Sequence, residues 1–405
     1  MAVLMNGYPK ENISSLSIRA DYAQSDVASR YFHIIEGRVL KSIINPRVET
    51  GEAYVYDSQN DNSNSLDFQE EKKRYAIFKK RRLGIFVLAR ELVWLLGNWK
   101  SNEFKKFLDE VEPDVLVCPI ESYIHFNRIN EYIIKTKHPK VIGVLWDDNF
   151  TYRQQNKWWY FIHRYFLRKG VRRMINHCSV VFATSPKMQE ECNKEFGINS
   201  QLLTKPIFFQ QDYQPYIVGN PIRIIYTGNL YVNRDKTIAT ISRVLDKINE
   251  NEIKVVLDIY TNSVLTEKQK TAIVKPGYCA IHPPVPSAEV KELQARADIL
   301  LVAEAIGRSG DMSARLSFST KITDYFLASK CIWAVGNPEL ASINYLANND
   351  AALISIDEAS ILSVLNRVVS TPELINEYAY KGTQCGKLNH SAADIQNKLY
   401  AAIDS

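Results

Sequence analysis

The chain has 405 residues, a formal net charge of +5 and a hydrophobic content of 46%. This length exceeds what one hydrophobic core usually holds, so two domains are expected. No uninterrupted apolar run reaches the roughly eighteen residues of a membrane-spanning helix, and the N-terminal sequence lacks the pattern of a secretory signal. The six cysteines have no CxxC spacing and are typical of free thiols in a reducing compartment, which predicts a cytoplasmic protein.

Apolar runs of strand length alternate with helical patterns, which predicts parallel sheets covered by helices. In the first half, an amphipathic helix is predicted at residues 103–111, and Ser185-Pro186 starts another helix with proline at its first position. Strands are predicted at 115–119, 141–146 and 179–184. Residues 7–9 do not form a glycine-rich loop, so the first strand and its loop are expected to be missing or divergent.

The second half repeats the alternation after a segment rich in proline and polar residues at 210–221, which predicts a linker. Helices are predicted at 236–249 and 287–296. Strands are predicted at 222–227, 254–260, 279–282, 299–302, 332–335 and 352–356. The sequence therefore predicts an α/β protein with two Rossmann-like, doubly wound domains. The expected division is a first domain at 1–209, the linker, a second domain at 222–375, and helices at 376–405 that cross back to the first domain.

The segment at residues 317–336, SFSTKITDYFLASKCIWAVG, combines several features of a nucleotide site. Ser319 and Thr320 are suited to cap a helix, whose first N–H groups attract phosphate. Lys321 adds a positive charge, and Asp324 lies on the same helix face, where a carboxylate accepts hydrogen bonds from ribose hydroxyls. The same pattern also fits a capped helix with a surface Lys/Asp pair.

The predicted strand at 222–227 ends in Gly228-Asn229-Leu230 and leads to Arg234. Ligands of doubly wound sheets bind at the carboxyl ends of the strands, so this loop is placed to meet phosphates. Gly228 allows close approach of the backbone, and Arg234 offers the rigid fork that suits a diphosphate. A purely structural turn is the alternative, and there is no G-x-G-x-x-G motif.

Asp147 and Asp148 follow a predicted strand in the first half. One of these carboxylates is a candidate to orient or deprotonate an acceptor hydroxyl, especially if its neighbour raises its pKa. Adjacent acids also suggest a metal, and the plain alternative is a strand-end turn with solvated acids. His125, a lone histidine near another strand end, is a candidate ligand or base, although a structural histidine is the commoner case.

Two stretches at residues 72–99 and 157–173 place Lys and Arg next to Trp, Tyr and Phe. This composition is typical of helices that lie on an anionic bilayer. Nucleic acid is the competing partner, but no nucleic-acid-binding module accompanies the charge, so none is predicted. An ordinary core helix with a solvated basic face is the remaining alternative. The low-complexity residues 57–65 are predicted to form a surface loop.

The second half resembles the nucleotide-binding domain of GT-B glycosyltransferases, in particular the retaining family-4-like group. The resemblance rests on four segments in the family's order, and a weaker one in the first half rests on EVEPDVLV, WDDNF and VVFATSPKM. The four segments are YTGNLYVNR at 226–234, HPPVPSAEV at 282–290, ADILLVAE at 297–304 and STKITDYFLASKCIWAVG at 319–336.

The resemblance implies roles for residues that match the family's pattern. Arg234 and Lys321 would contact the donor diphosphate, Asp324 would hold the ribose, and the backbone at Val285 would face the base. Glu304 would begin the loop that meets the donor sugar. Because GT-B enzymes hold the diphosphate with basic side chains and helix ends, no metal and no other cofactor is implied.

Three departures from the family pattern concern the donor sugar. The residue eight positions before Asp324, where the family has a glutamate, is Leu316, and Asn229 replaces an arginine after the glycine. The loop at 305–318 is longer and more charged than usual, with Arg308, Asp311 and Arg315.

The function predicted from these residues is transfer of a sugar from a nucleotide diphosphate donor, UDP-linked by resemblance, to a saccharide or lipid-linked acceptor. Bacterial surface polysaccharide assembly at the inner face of the membrane is the implied setting. Two alternatives stay open, a GT-B sugar-nucleotide epimerase and a non-catalytic GT-B-like partner protein. The absent glutamate pair favours the second alternative, whereas the basic-aromatic stretches count against the first.

Overall fold

The computed structural model describes residues 1–18, 25–56, 85–154, 157–307 and 312–405. Three features of the sequence analysis lie wholly or partly outside these ranges. They are the low-complexity segment 57–65, the basic part of 72–99 up to residue 84, and Arg308 with Asp311.

The N-terminal part forms a small sheet. Helix α1 (Ala2–Met5) precedes two parallel strands, β1 (Ser14–Ser17) and β2 (Arg30–Ile34), and after α2 (Glu36–Ser42) the chain adds β3 (Gly51–Tyr54) antiparallel to β2. β2 is buried after its first residue, whereas β1 reads Ser-Ser-Leu-Ser and is only partly buried. β1 is hard to recognise in the sequence because it carries a single large apolar residue.

The next part of the chain alternates strands and helices. Its strands pair in parallel in chain order and are β4 (Val115–Pro119), β5 (Lys140–Leu145), β6 (Val180–Ala183) and β7 (Gln201–Leu202). Its helices are α3 (Ile85–Leu96), α4 (Asn102–Val111), α5 (Ile124–Lys137), α6 (Trp158–His177) and α7 (Pro186–Phe196). The three strands predicted here are confirmed, with ends shifted by one residue in β5 and β6. Ser185 caps α7 by accepting from the Met188 N–H, with Pro186 at the first position as predicted.

The second half forms another parallel sheet. Its strands are β8 (Ile222–Thr227), β9 (Val255–Tyr260), β10 (Cys279–His282), β11 (Ile299–Ala303), β12 (Cys331–Val335) and β13 (Leu353–Ser355). Its helices are α8 (Arg234–Ile248), α9 (Glu267–Ile273), α10 (Ser287–Arg296), α11 (Thr320–Leu327), α12 (Ala341–Asn348), α13 (Glu358–Ser370), α14 (Glu373–Asn389) and α15 (Ala392–Asp404). All six predicted strands are confirmed, with small shifts at their ends.

The order of these strands defines where a ligand would bind. The sheet runs β10–β9–β8–β11–β12–β13, so the chain builds outward from β8 in one direction and then returns to place β11 on its other side. Helices cover both faces, and Trp333 of β12 lies fully buried between them. Adjacent strands whose connections leave in opposite directions open a crevice at their carboxyl ends. In this sheet that crevice lies between β8 and β11.

The last helix packs against the first half of the chain. Ile395, Leu399 and Ala402 of α15 share a buried cluster with residues of β5 and β6, among them Ile142 and Phe182. The hydroxyl of Tyr400 also donates to the Asn6 carbonyl at 2.8 Å. Apolar contact with the first sheet therefore fixes the position of α15.

Candidate functional site

The crevice between β8 and β11 begins at the residues that follow each strand. β8 runs into Gly228, and β11 runs into Glu304, whose backbone N–H donates to the Val335 carbonyl at 2.8 Å. A Cβ on Gly336 would lie 2.9 Å from Glu304 Cβ, so the backbone after β12 also approaches closely. Because β11 pairs with both β8 and β12, the position of Glu304 at the end of β11 is fixed by the sheet.

Arg234 and Glu304 form a two-pronged ion pair across this crevice. Arg234 Nε donates to Glu304 Oε2 at 2.9 Å, and Nη2 donates to Oε1 at 2.8 Å. The Glu304 carbonyl accepts from Thr237 Oγ1 at 2.7 Å, which ties α8 to the end of β11. Burial opposes the charge on Arg234, but Glu304 outweighs it, and the pKa of Arg234 is raised. The pair holds the guanidinium in one orientation.

Lys321 places its ammonium directly over Gly228. A Cβ at position 228 would lie 2.5 Å from Lys321 Cε and closer still to Nζ, and Gly228 has a φ of +142°. Nζ lies 4.6 Å from the centre of the Tyr226 ring and 3.5 Å from its hydroxyl. Among the residues that the structure describes, no carboxylate lies within 4.0 Å of this ammonium.

The electrostatics of Lys321 follow from that setting. Burial, with a further contribution from Arg234, lowers its pKa from 10.5 to about 8. Glu304 acts in the opposite direction but does not offset these two effects. An anion bound here would supply the missing counter-charge, so the crevice is chemically suited to phosphate groups.

The start of α11 is open to a ligand. Ser319 occupies the N-cap position, as predicted, but its side chain makes no capping hydrogen bond. The Ser319 N–H donates to Ser342 Oγ at 2.9 Å, which ties the residue to α12. Thr320 is exposed at the first position of the helix. The positive end of α11 therefore lacks the side-chain oxygen that usually satisfies its amides.

The other predicted nucleotide contacts lie around this centre. Asp324, one turn along α11 from Lys321, accepts a hydrogen bond from Lys205 Nζ at 2.6 Å, and both side chains are partly exposed. Val285 lies in the loop from β10 to α10, and Asn229 is exposed after β8, where its carbonyl accepts from the Tyr226 hydroxyl at 2.6 Å. The structure thus joins Gly228, Arg234, Glu304 and Lys321 closely, with the remaining residues at the periphery.

Asp148 is enclosed within the turn that follows β5. Its Oδ1 accepts from the Thr151 N–H at 2.9 Å and its Oδ2 from the Thr151 hydroxyl. Arg164 lies 4.0 Å from one carboxylate oxygen and Arg315 lies 3.9 Å from the other. Asp148 is 1% exposed, so its hydrogen bonds stabilise the turn rather than point into solvent.

Asp147 has the opposite character. Its residue is exposed by surface area, but its carboxylate faces protein atoms on one side and accepts from the hydroxyl of Ser317, in the segment before α11. The protein atoms around the carboxylate desolvate it, and Asp148 adds a like charge, so the pKa of Asp147 is raised even though Ser317 acts to lower it. The contact with Ser317 links the turn after β5 to the segment before α11.

The segment at 315–317 also anchors the two halves. Arg315 forms a two-pronged pair with Glu191 of α7. Leu316, fully buried, belongs to the hydrophobic cluster of the first half that contains Ile120 and Phe150. The position where the family pattern has a glutamate is therefore a packing contact in this chain.

His125 lies at the start of α5, beside the end of β4. Its Nδ1 lies 3.1 Å from Glu91 Oε2, and Glu91 also accepts from the N–H groups of Ile124 and His125 at 3.0 Å each. The ring stacks on Trp94 at 4.6 Å, and its Nε2 has no hydrogen-bond partner among the residues that the structure describes. Burial lowers the pKa of His125 despite the opposing effect of Glu91. These contacts identify His125 as part of a buried helix-start network.

Several contributors were missed by sequence reasoning. Tyr226, Lys205 and Ser317 meet the predicted residues only through the fold, and a lone tyrosine, lysine or serine carries no local signal. Arg315 and Leu316 were noted only as departures from a pattern. Within the described part of the chain, no group of three or more His, Cys, Asp or Glu side chains is arranged to hold a metal ion. No helix among the same residues is long and apolar enough to cross a membrane.

No protein-family profile matches this chain, and no curated protein matches it in sequence. Its fold is similar to that of solved GT-B glycosyltransferases. Sucrose-phosphate synthase from Thermosynechococcus elongatus aligns with a TM-score of 0.58 at 10% identity, over 78% of this chain and 79% of that one. Anabaena Alr3699/HepE, solved in complex with UDP, aligns with a TM-score of 0.57 at 10% identity, over 75% and 82% of the two chains.

A third similar structure is a point mutant of S. aureus TarM, solved with fondaparinux, α-GlcNAc-glycerol and UDP. It aligns with a TM-score of 0.54 at 10% identity, over 74% of this chain. The alignment covers only 58% of the length of TarM. The chain therefore has the GT-B fold, and the fold class predicted from the sequence is confirmed. At 10% identity this similarity shows the fold alone, because one fold can carry many functions.

Proposed function

We propose that the protein is a glycosyltransferase that takes a sugar from a nucleoside diphosphate sugar and passes it to a hydroxyl of a saccharide or lipid-linked saccharide. The observation that carries this proposal is Lys321, a largely desolvated ammonium over a glycine, beside an uncapped helix start and without a carboxylate partner among the described residues. A diphosphate supplies the charge that this arrangement lacks.

Arg234 and Lys321 would neutralise the diphosphate as it departs from the sugar. Charge develops on that group as the glycosidic bond breaks, and cations held in place before the reaction stabilise it. Glu304 occupies two of the five N–H donors of Arg234, which leaves three for a ligand. Glu304 is thus proposed to position Arg234 and to begin the loop that meets the donor sugar.

The nucleoside would lie along α11 and the β10–α10 loop. Asp324 would accept hydrogen bonds from the ribose hydroxyls, in exchange for its exposed contact with Lys205. The backbone at Val285 would face the base, for which we propose uracil, and Asn229 and Thr320 would flank the phosphates. This assignment uses Ser319 through its helix-end position rather than through its hydroxyl.

Asp147 is the candidate base on the acceptor side. A raised pKa brings a carboxylate nearer to the operating pH, where transfer of a proton from an acceptor hydroxyl is most effective. Asp148 would act as a positioning residue, since its oxygens are engaged by Thr151. Retention of the anomeric configuration and a role in bacterial surface polysaccharide assembly belong to the same proposal.

Calorimetry with UDP tests the donor site. Lys321→Met, which keeps an unbranched apolar stem but removes the charge, should weaken UDP binding about tenfold to a hundredfold. Lys330→Met is the matched control, because Lys330 also lies over a tyrosine ring, Tyr216, but follows the opposite end of α11. Equal UDP affinity in the two variants would contradict the phosphate role of Lys321.

Proton uptake on UDP binding provides a second test of the phosphate role of Lys321. Because the free pKa of Lys321 is about 8, a bound diphosphate should raise it, and each binding event near pH 8 should take up a fraction of a proton. Titrations in two buffers of different ionisation enthalpy measure that uptake. It should vanish in Lys321→Met and persist in Lys330→Met.

Transfer itself is tested with a panel of nucleotide sugars and saccharide acceptors, followed by NMR of the anomeric centre. Product with the donor's configuration supports the full proposal. Conversion of UDP-GlcNAc without any acceptor would instead identify an epimerase. UDP binding without transfer or hydrolysis across the panel would favour the non-catalytic alternative.

A further inference from the structure

The exposed side of α6 carries an apolar stripe that stays largely open to solvent, although Tyr152 stacks on Phe161 at one point. Five large side chains at helical spacing are 40–67% exposed, and these define the α6 stripe: Trp158, Phe161, Ile162, Tyr165 and Phe166. Their spacing of three and four residues places them on one face. The residues between them that face the other way, Tyr160, His163 and Arg164, are buried against the first domain's core.

The charge of α6 accompanies this stripe. The helix contains five basic residues and no acidic one. Arg168 and Arg172 pair with Glu195, Arg173 pairs with Glu131, and Arg164 lies 4.0 Å from Asp148. Among the described residues, the charges along the stripe without a carboxylate partner are therefore Lys169 and, just before the helix, Lys157. Lys157 and Lys169 are exposed at the two ends of the stripe, and Lys169 lies over the Tyr165 ring at 4.4 Å. Arg172 and Arg173 continue the same exposed face.

We propose that the α6 stripe docks on an anionic lipid bilayer, with its aromatic side chains in the interfacial layer and Lys157 and Lys169 at the headgroups. Tryptophan and tyrosine suit this layer because each combines an apolar ring with a polar atom. Anionic headgroups complement the lysines, whereas a second copy of the same face would bring like charges together.

The buried face of α6 connects this surface to the proposed acceptor side. Tyr160 donates to the Thr151 carbonyl at 2.9 Å, Arg164 to the Asp148 carbonyl at 2.8 Å, and Arg168 to the Phe150 carbonyl at 2.7 Å. The helix that would lie on the bilayer therefore holds the turn that carries Asp147. If the proposed function is right, the acceptor is carried on a lipid and meets Asp147 at the membrane surface.

Vesicle sedimentation tests the surface without using the proposed activity. The full chain should sediment with vesicles of phosphatidylcholine containing about one-third phosphatidylglycerol, and binding should weaken with added salt and on pure phosphatidylcholine. Trp158→Ser/Phe166→Ser and Lys157→Glu/Lys169→Glu should each lower the partition coefficient about tenfold or more. The matched controls are Ile217→Ser/Val264→Ser, which alters exposed apolar residues elsewhere, and Lys268→Glu.

Quenching by brominated lipids locates the contact. Wild-type tryptophan fluorescence should be quenched on binding, and Trp158→Phe should lose much of that quenching while still sedimenting. Failure of the wild type to sediment at low salt, or equal binding by stripe and control variants, would overturn the proposal. A concentration-dependent dimer that only stripe variants abolish would do the same, in favour of a second copy. If the stripe variants keep the UDP affinity of the wild type, their loss of vesicle binding is independent of the proposed donor site.

Discussion

The carboxyl ends of the two larger sheets carry charged residues in opposite states. At the β8–β11 edge, defined by Gly228, Arg234, Glu304 and Lys321, the Lys321 ammonium has no carboxylate within 4.0 Å among the described residues, and its pKa is lowered to about 8. In the turn after β5, Asp148 has hydrogen bonds to both carboxylate oxygens and two arginines at about 4 Å. A buried cation without a nearby carboxylate is chemically suited to an anionic ligand, whereas a carboxylate engaged by hydrogen bonds and arginines has a structural role.

The largest effect on stability should follow removal of Arg234, the cation that pairs with Glu304 at the β8–β11 edge. Arg234→Met leaves Glu304, which is 5% exposed, buried without its cation. Such a change costs about 3 kcal/mol of the free energy of unfolding, and thermal or urea unfolding measures it. Arg234→Met/Glu304→Gln should recover most of the stability but not the UDP affinity. If Arg234→Met alone were as stable as the wild type, the stabilising role of the Arg234–Glu304 ion pair would be contradicted.

Paired substitutions in the β5 turn separate the two aspartates. Asp148→Asn replaces a buried acceptor of two hydrogen bonds and should cost about 2 kcal/mol of stability. Asp147→Asn removes an open carboxylate and should leave the melting temperature nearly unchanged. It should instead lower the transfer rate while UDP affinity stays constant. The reverse pattern would exchange the roles proposed for these residues.

The pH dependence of stability tests the state of Lys321. Its folded pKa is about 8, below the ordinary value of 10.5, so between these limits the unfolded chain binds more protons than the folded one. This group alone should therefore make stability rise with pH across that window, by about 1–3 kcal/mol. Lys321→Met should be more stable than wild type at pH 7, and the difference should shrink by pH 10.5. A constant difference would show that Lys321 titrates normally.

Substitution of two glycines with positive φ distinguishes the backbone strain of a new side chain from damage to the proposed UDP site. Gly228→Ala and Gly197→Ala should each cost about 1 kcal/mol of stability, because both positions disfavour a side chain. Only position 228 has Lys321 within reach of the new methyl group, while nothing lies within 4 Å of it at position 197. UDP affinity should therefore fall severalfold in Gly228→Ala alone. An equal loss in both variants would mean that the close approach is irrelevant.

The smallest effect should come from the exposed pair of Lys205 and Asp324. Lys205→Met should change the free energy of unfolding by less than about 0.5 kcal/mol, because solvent screens such pairs. Asp324→Ala should be equally mild for stability but should weaken UDP binding if the carboxylate holds the ribose. Unaltered UDP affinity in Asp324→Ala would remove that role.

The part of the structure that could be predicted from the sequence differs between the same two sheet edges. Strands β4 to β6 and β8 to β13 are recognisable because buried parallel strands are continuous apolar runs, and the residues after β8 follow from strand ends alone. β1, with the sequence Ser-Ser-Leu-Ser, has no such run. The enclosure of Asp148 depends on Arg164 and Arg315, which lie far apart in the chain and meet only in the fold. Such long-range compensation leaves no local pattern.

Leu316 illustrates the same limit from the other side. A comparison of motifs registers the position as a missing glutamate, whereas the structure shows an apolar side chain from the second half buried in the core of the first. Its neighbour Arg315 pairs with Glu191 of α7. A departure from a family pattern can thus be a gain of packing rather than a loss of function.

The return of α15 to the first half has a practical consequence for dissecting the molecule. A fragment cut between the two sheets would expose the apolar surface of Ile142 and Phe182 that α15 covers, and the released helix would expose Ile395 and Leu399. Separate expression of either half would therefore favour aggregation. Fusing α15 to the end of the first half through a short linker is the arrangement that would let that half be purified and crystallised alone.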